Sequence, residues 1–159
     1  DIGFIGAPYE DERLINLEFY HDTLVVILPE EHPWRERRAI RMAELTDQPF
    51  ILSVKGSGTR EVIEKHLTNA GIKLQKTIEF GNTETVKKAV VAGIGISILS
   101  ESVIRDEMAR GQICSVTLDE GGITRTFFMV SHKDKYRTKA VGELIEMVNT
   151  LVKNKVSNS

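Results

Sequence analysis

The stretch from Pro49 to Leu118 restricts the possible folds more than any other part of the chain, because short apolar runs alternate there with amphipathic helical ones. Phe50 to Val54 predicts a strand. A glycine-rich turn then leads into a helix over about Thr59 to Ala70, with Ile63, Leu67 and Ala70 on one stripe and Gly71 as its stop. Leu74 to Phe80 is the next predicted strand. The following helix takes Asn82 or Thr83 as N-cap and turns Val86, Ala89 and Val90 inward. Ile94 to Leu99 predicts a buried strand, Ser100 caps a third helix bearing Val103, Ile104 and Met108, Gly111 ends it, and Ile113 to Leu118 closes the series. Consecutive strands joined through helices need crossover connections, so the expectation is a mainly parallel sheet covered by helices on both faces.

The flanks read differently. Ile2 to Ile5 predicts a short buried strand ending at the turn Gly6-Ala7-Pro8. From Ile15 to Leu28 the pattern first alternates and then becomes continuously apolar, as in an extended segment passing from a half-exposed to a buried setting, and Pro29 ends it. His32-Pro33-Trp34 and the basic stretch Arg35 to Arg41 predict a loop and a short helical turn. Glu30, Glu31 and Glu36 flank those arginines and no aromatic residue interleaves them, so they read as a solvated, partly self-paired face rather than a nucleic-acid patch. Gly121 and Gly122 turn the chain into a strand over Thr126 to Ser131. A last helix spans about Tyr136 to Val152, with Ala140, Leu144, Val148 and Leu151 on its stripe, and a frayed tail follows from Lys153 to Ser159.

This layout divides into residues 1–22 as part of a first lobe, 23–125 as a complete α/β lobe, 126–152 as a strand and helix returning to the first lobe, and 153–159 as the tail. Two extended linkers between lobes make a hinge, and ligands of open α/β sheets sit beyond the carboxyl ends of the strands, here expected to face an inter-lobe cleft. Asp1 runs without a starting methionine into Ile2, Phe4 and Ile5, which reads as a chain beginning inside a folded unit with strand partners upstream.

Composition excludes several function classes. Lys and Arg total 21 against 23 Asp and Glu, a formal charge of −2, so no overall basic field attracts phosphate backbones or anionic lipid. The longest apolar run, Leu24 to Leu28, is far short of a membrane span, and the first residues carry no secretion-signal pattern. The single cysteine, Cys114, has no CxxC partner and reads as a small buried strand residue of a reducing compartment. Histidines 21, 32, 66 and 132 form no HExxH motif and are expected on the surface or in loops. No GxSxG elbow and no convergent carboxylate pair occurs either. No catalytic residue, metal ligand or cofactor is therefore expected, and an enzyme gains little support.

What remains is the run Ser53-Val54-Lys55-Gly56-Ser57-Gly58-Thr59-Arg60, where the chain passes from a strand through two glycines to a helix start. Unpaired backbone N–H groups there, with the helix dipole and the hydroxyls of Ser57 and Thr59, would cradle a carboxylate, sulfate or phosphate. Lys55 precedes the glycines, so this is not the GxxxxGK[ST] loop of nucleotide hydrolases. The residues equally allow a plain turn with a capped helix. Asn82-Thr83-Glu84 is a second helix start on the same predicted edge, and two such starts could aim donors at one ligand.

The order of several motifs resembles a known family. Asp1-Ile2-Gly3-Phe4-Ile5-Gly6, the strand Leu24 to Leu28 followed by Pro29 and His32-Pro33, Pro49-Phe50-Ile51, Gly56-Ser57-Gly58-Thr59-Arg60, Ala70-Gly71-Ile72 and Val90-Val91-Ala92-Gly93-Ile94-Gly95-Ile96-Ser97-Ile98-Leu99 resemble the effector-binding domain of LysR-type transcriptional regulators, from the first residue to about Leu151. The resemblance implies an α/β fold of the type 2 periplasmic-binding-protein kind, two Rossmann-like lobes joined by two crossover strands, with the first lobe incomplete. It implies a bacterial cytoplasmic regulator whose DNA-binding helix-turn-helix lies upstream, forming a homodimer or homotetramer. A small-molecule inducer, an organic acid or inorganic anion, would bind between the lobes. By position the ligand-binding residues would be Gly6 and Ala7, Ser53, Ser57, Gly58, Thr59 and Arg60, and Asn82 and Thr83. A solute-binding protein of a transporter shares the fold and is the alternative.

Overall fold

Period-two burial in one long strand organises the larger part of the molecule. A computed structural model describes residues 2–6, 8–119, 121–134 and 138–156. In chain order its elements are β1 (Ile2–Ile5), β2 (Leu14–Pro29), β3 (Ala39–Ile40), β4 (Pro49–Ser53), α1 (Gly58–Asn69), β5 (Lys76–Phe80), α2 (Thr83–Val91), β6 (Ser97–Ser100), α3 (Arg105–Ala109), β7 (Ile113–Leu118), β8 (Ile123–His132) and α4 (Lys139–Val156). They fall into two units, residues 1–22 with 125–159 and residues 23–124.

In the second unit the apolar half of β2 sends alternate side chains into two cores. Leu24, Val26 and Leu28 pack with Ile63 and Leu67 of α1, while Val25 and Ile27 pack with Val86, Ala89 and Val90 of α2. Both faces of this strand are thus covered, which is why its sequence is continuously apolar. Each fully buried Leu, Ile or Val contributes roughly 1.5–3 kcal/mol of hydrophobic stabilisation.

Pairing follows from the crossovers, with one exception. β4 and β5 are parallel from Pro49 opposite Lys76 to Ser53 opposite Phe80. A parallel bridge joins Phe50 to Ile96, where Ile51 N donates to Ile96 O at 2.7 Å and Ile96 N to Pro49 O at 2.8 Å. β2 then lies antiparallel between β6 and β7, and β3 adds to β7 in parallel. Strands β5, β4, β6 and β7 therefore run one way, as the helical crossovers demand. The expectation of a mainly parallel sheet omitted β2, which is wedged between them in the opposite direction. A strand buried on both faces carries the same apolar signature in either direction.

Two helix expectations are corrected. The third helix is split into a 3-10 turn at Glu101–Val103 and the short α3, with Ser100 Oγ accepting from Ser102 N at 3.2 Å. Lys87 Nζ takes the Val103 carbonyl at 3.1 Å, and of the three expected inward residues only Ile104 is buried, Val103 and Met108 being about two-fifths exposed. The last helix, α4, continues through residues 153–156, expected as tail, while Tyr136, where it was expected to begin, and residues 157–159 lie outside the described residues. Thr138 Oγ1 accepts from Val141 N at 3.4 Å at its start. Of its expected stripe, Val148 is buried and Ala140 is exposed.

In the first unit β1 pairs antiparallel with β8 from Ile2 opposite Ser131 to Ile5 opposite Phe128, and β8 lies between β1 and β2. β1 is not the buried strand expected, since Phe4 is 53% exposed, its ring edge-on to Phe19 at 5.3 Å.

The arginine-rich stretch is self-paired. Arg37 holds Glu44 through two bonds of 2.7 and 3.0 Å, the Arg41 backbone N–H adds a third at 2.9 Å, and Arg35 pairs with Glu36 at 2.9 Å. The Arg37 guanidinium and then the Arg41 N–H hold the Glu44 carboxyl at about 2, below its ordinary 4.5. The folded value is the depressed one, so this stabilisation is present above pH 4.5 and is lost as pH falls toward about 2. Glu44→Gln is accordingly expected to flatten that limb of the stability curve. Denaturation midpoints measured across this window check it: the gap between wild type and variant should close as pH falls, and a constant gap would assign the acid sensitivity to other groups.

Candidate anion cradle at two helix starts

The parallel register of β4 and β5 brings the two glycine-containing turns to one edge of the sheet. Val54 N donates to Phe80 O at 3.1 Å, so the strands stay paired to their last residues and both leave at the same carboxyl end. From β4 the chain turns at Gly56, whose φ of +86° suits glycine, and Ser57 N closes the turn on Val54 O at 3.2 Å. From β5 it passes Gly81 and Asn82 directly into α2.

The two helix starts are finished differently. Ser57 is the N-cap of α1 in extended conformation, and its side chain makes no capping bond. Helix geometry points the N–H groups of Gly58 and Arg60 out of the first turn with no intrahelical acceptor, and the dipole adds partial positive charge there. Asn82 caps α2: its Oδ1 accepts from Thr85 N at 2.9 Å and from Thr85 Oγ1 at 3.1 Å. The cap thus uses the amide oxygen and not the NH2 group. Ser57 and Thr59 are half-buried, whereas Gly58, Asn82 and Thr83 are exposed. Such an edge offers N–H and hydroxyl donors to an anion.

Of the residues marked in the sequence, Ser53, Ser57, Gly58, Thr59, Arg60, Asn82 and Thr83 share this edge. Gly6 follows β1 in the other unit, and Ala7 lies outside the described residues. Arg60 does not present its charge to the edge. Its guanidinium is buried and held by Glu64 at 2.7 Å, by the Ser53 carbonyl at 2.8 Å and by Glu79 on β5, and the Glu64 and Glu79 carboxylates keep it above its ordinary value.

A second polar cluster escaped the sequence reading. Buried Lys87 contacts Glu84 and Glu107 at 2.9 Å each; burial pulls its ammonium down, but the two carboxylates outweigh that and hold it above its ordinary value. The Glu84-x-x-Lys87 spacing was the available signal, one that normally marks an exposed pair. Concave surfaces of about 610 and 400 Å³ share Val91, Ala92, Arg110 and Gln112; the smaller runs along α2 past Glu84, Lys87 and Glu107, and neither is lined by the expected ligand-binding residues. Cys114 is half-buried, and burial pushes its thiol up, away from reactivity. Among the described residues no group of three or more His, Cys, Asp or Glu is placed to hold a metal ion, and no helix is long and apolar enough to cross a membrane.

A β5-β4-β6-β2-β7 order with one reversed strand, linked by helical crossovers, is the architecture of type 2 periplasmic-binding-protein-like sensor domains. The family model for the LysR substrate binding domain matches residues 1–152, and the chain belongs to that family. The RuBisCO operon transcriptional regulator of Acidithiobacillus ferrooxidans is 35% identical over 148 residues, which are 91% of this chain and 48% of that protein. The CcmR regulatory domain of Synechocystis PCC6803, solved in complex with 2-PG, superposes with a TM-score of 0.87 at 28% identity, covering 97% of this chain and 74% of its own. The effector binding domain of QuiR, solved with shikimate, has the same fold at 19% identity, with a TM-score of 0.81 over 97% of this chain and 72% of its own. The chain spans about half the length of the curated relatives it matches. These relatives are transcriptional regulators, not enzymes.

Proposed function

We propose that this chain is the ligand-sensing part of a LysR-type transcriptional regulator and that it holds a small anionic effector, an organic acid or inorganic anion, at the starts of α1 and α2. The observation that carries this reading is the register of β4 with β5, because it puts the uncommitted Ser57 hydroxyl and the Asn82 amide on one edge. The ligand in the CcmR neighbour, 2-phosphoglycolate, has the chemistry such an edge suits: carboxylate and phosphate oxygens that accept from N–H and O–H donors. In the intact protein, DNA binding belongs to a helix-turn-helix outside these 159 residues, as in relatives about twice this length that are named HTH-type regulators. That protein works in the cytoplasm as a homodimer or homotetramer, and the effector alters its grip on DNA by binding its states unequally.

Two substitutions separate binding from folding. Ser57→Ala removes a hydroxyl that caps nothing, so it is expected to leave the melting temperature unchanged and to weaken 2-phosphoglycolate or sulfate by about tenfold, the equivalent of one hydrogen bond to a charged group. Asn82→Asp keeps the capping acceptor, but removes the donor and places a negative charge at the edge, so its loss should be larger. Calorimetric titration reads both, and unchanged affinity in the pair would end the anion reading.

A further inference from the structure

Arg60 reaches three elements from one side chain. It lies in the first turn of α1, bonds the carbonyl of Ser53 at the end of β4, pairs with Glu64 one turn further along α1, and pairs with Glu79, three residues before the α2 cap Asn82. Its side chain is 9% exposed, whereas those of Glu64 and Glu79 are about half exposed. The bond to Ser53 fixes the turn behind α1, and the Glu79 pair ties the end of β5 to that same turn. A planar guanidinium has donors in a rigid fork and can hold several acceptors at fixed angles, which an ammonium cannot.

We propose that Arg60 is a positioning residue that locks the starts of α1 and α2 into one geometry by bridging β4, β5 and α1, and that it does not touch the anion itself. This deepens the anion reading above and rests on it. With two carboxylates against its single charge, Arg60 adds no net attraction at the edge, and it acts on the ligand through the directions of the N–H and hydroxyl donors it holds in place. Small errors in such placement weaken binding out of proportion to any lost contact.

Glu79→Ala gives opposite signs for the two roles. If Arg60 were a ligand, removing Glu79 would free its charge, delete a repelling carboxylate and tighten anion binding. If Arg60 is a clamp, the same change loosens the link between the helix starts and weakens binding. The test uses the full-length protein as wild type, Glu79→Ala and Glu79→Gln, titrated calorimetrically with 2-phosphoglycolate and with inorganic sulfate. Amide hydrogen exchange is followed at residues 57–61 and 82–85 without ligand. The clamp expects about tenfold weaker binding in Glu79→Ala, faster exchange at both helix starts, and an intermediate Glu79→Gln, whose amide oxygen still accepts from Arg60. Tighter or unchanged binding in Glu79→Ala, or unaltered exchange at residues 82–85, overturns it. Should the wild type take up neither probe while Glu79→Ala still loosens both starts, the clamp stands and the anion reading falls.

Discussion

Gly95→Ala is expected to destabilise the second unit by roughly 3 kcal/mol, near the upper end of single-substitution effects. A methyl group at this buried position would sit 2.4 Å from the carbonyl oxygen of Pro49 and 2.9 Å from its carbon, distances that no side-chain rotation can relieve because the obstacle is backbone. The same carbonyl accepts from Ile96 N at 2.8 Å, one of the bonds by which β4 joins the segment leading into β6. Pushing Pro49 aside therefore breaks the bridge through which β4 and β5, and the two helix starts they carry, are attached to the rest of the sheet. Gly93→Ala is the proper reference. Gly93 has a φ of +72° and open space around it, so its cost is backbone strain alone, about 1 kcal/mol. Chemical denaturation of both variants distinguishes the cases: a Gly95→Ala loss no greater than that of Gly93→Ala would mean the two segments can separate without consequence.

The contrast between these glycines also marks how far the fold was legible. The crossovers could be read from period and punctuation: Ile63 and Leu67 of the expected stripe are buried, though Ala70 is an exposed C-cap, and the stop at Gly71 and the cap at Asn82 are local signals where the elements do end and begin. Long-range relations were not legible. Nothing near Leu24 to Leu28 says that β2 runs against its neighbours, because direction is set by strands seventy and more residues further along the chain. The third helix is interrupted at Ile104, whose φ of −109° and ψ of 0° leave the helical region, and the Val103 carbonyl before it accepts from Lys87 of α2, sixteen residues away.

The candidate site divides along the same line. Ser57 and Asn82 were found because helix caps announce themselves within a few residues, and the parallel register then brings them to one edge. Arg60 was placed among the expected ligand donors because it follows Ser57, Gly58 and Thr59 in the chain. Its acceptor Glu79 lies nineteen residues away on an adjacent strand, beyond any local pattern. A charge beside a glycine turn has two possible uses, attracting the ligand or holding the turn, and only its partners decide between them. Here three acceptors surround it, which assigns its charge to holding the turn.

In the first unit, Arg125→Met is expected to cost about 3–5 kcal/mol, because it withdraws a cation from beside a buried carboxylate. Asp22 is 3% exposed, and Arg125 donates to its Oδ2 through Nε at 2.8 Å and approaches it through Nη2 at 2.8 Å, while the guanidinium lies 4.7 Å over the ring of Phe127. The two residues stand on β2 and β8, 103 positions apart, so the pair joins chain segments that meet only in the folded state. Asp22→Asn removes the charge but keeps the shape and an acceptor, and the cation it leaves is partly exposed and still faces the Phe127 ring, so its cost should be smaller. The combined variant, Asp22→Asn with Arg125→Met, strands neither charge and is expected to recover much of the Arg125→Met loss, as buried pairs do when both members are replaced together. Urea denaturation of the two single variants and the double closes the cycle, and the coupling it yields should be on the order of 2 kcal/mol. Strictly additive losses would show that Asp22 tolerates burial without this arginine, and that the two strands are held by their ladder and the aromatic contacts of Phe127 instead.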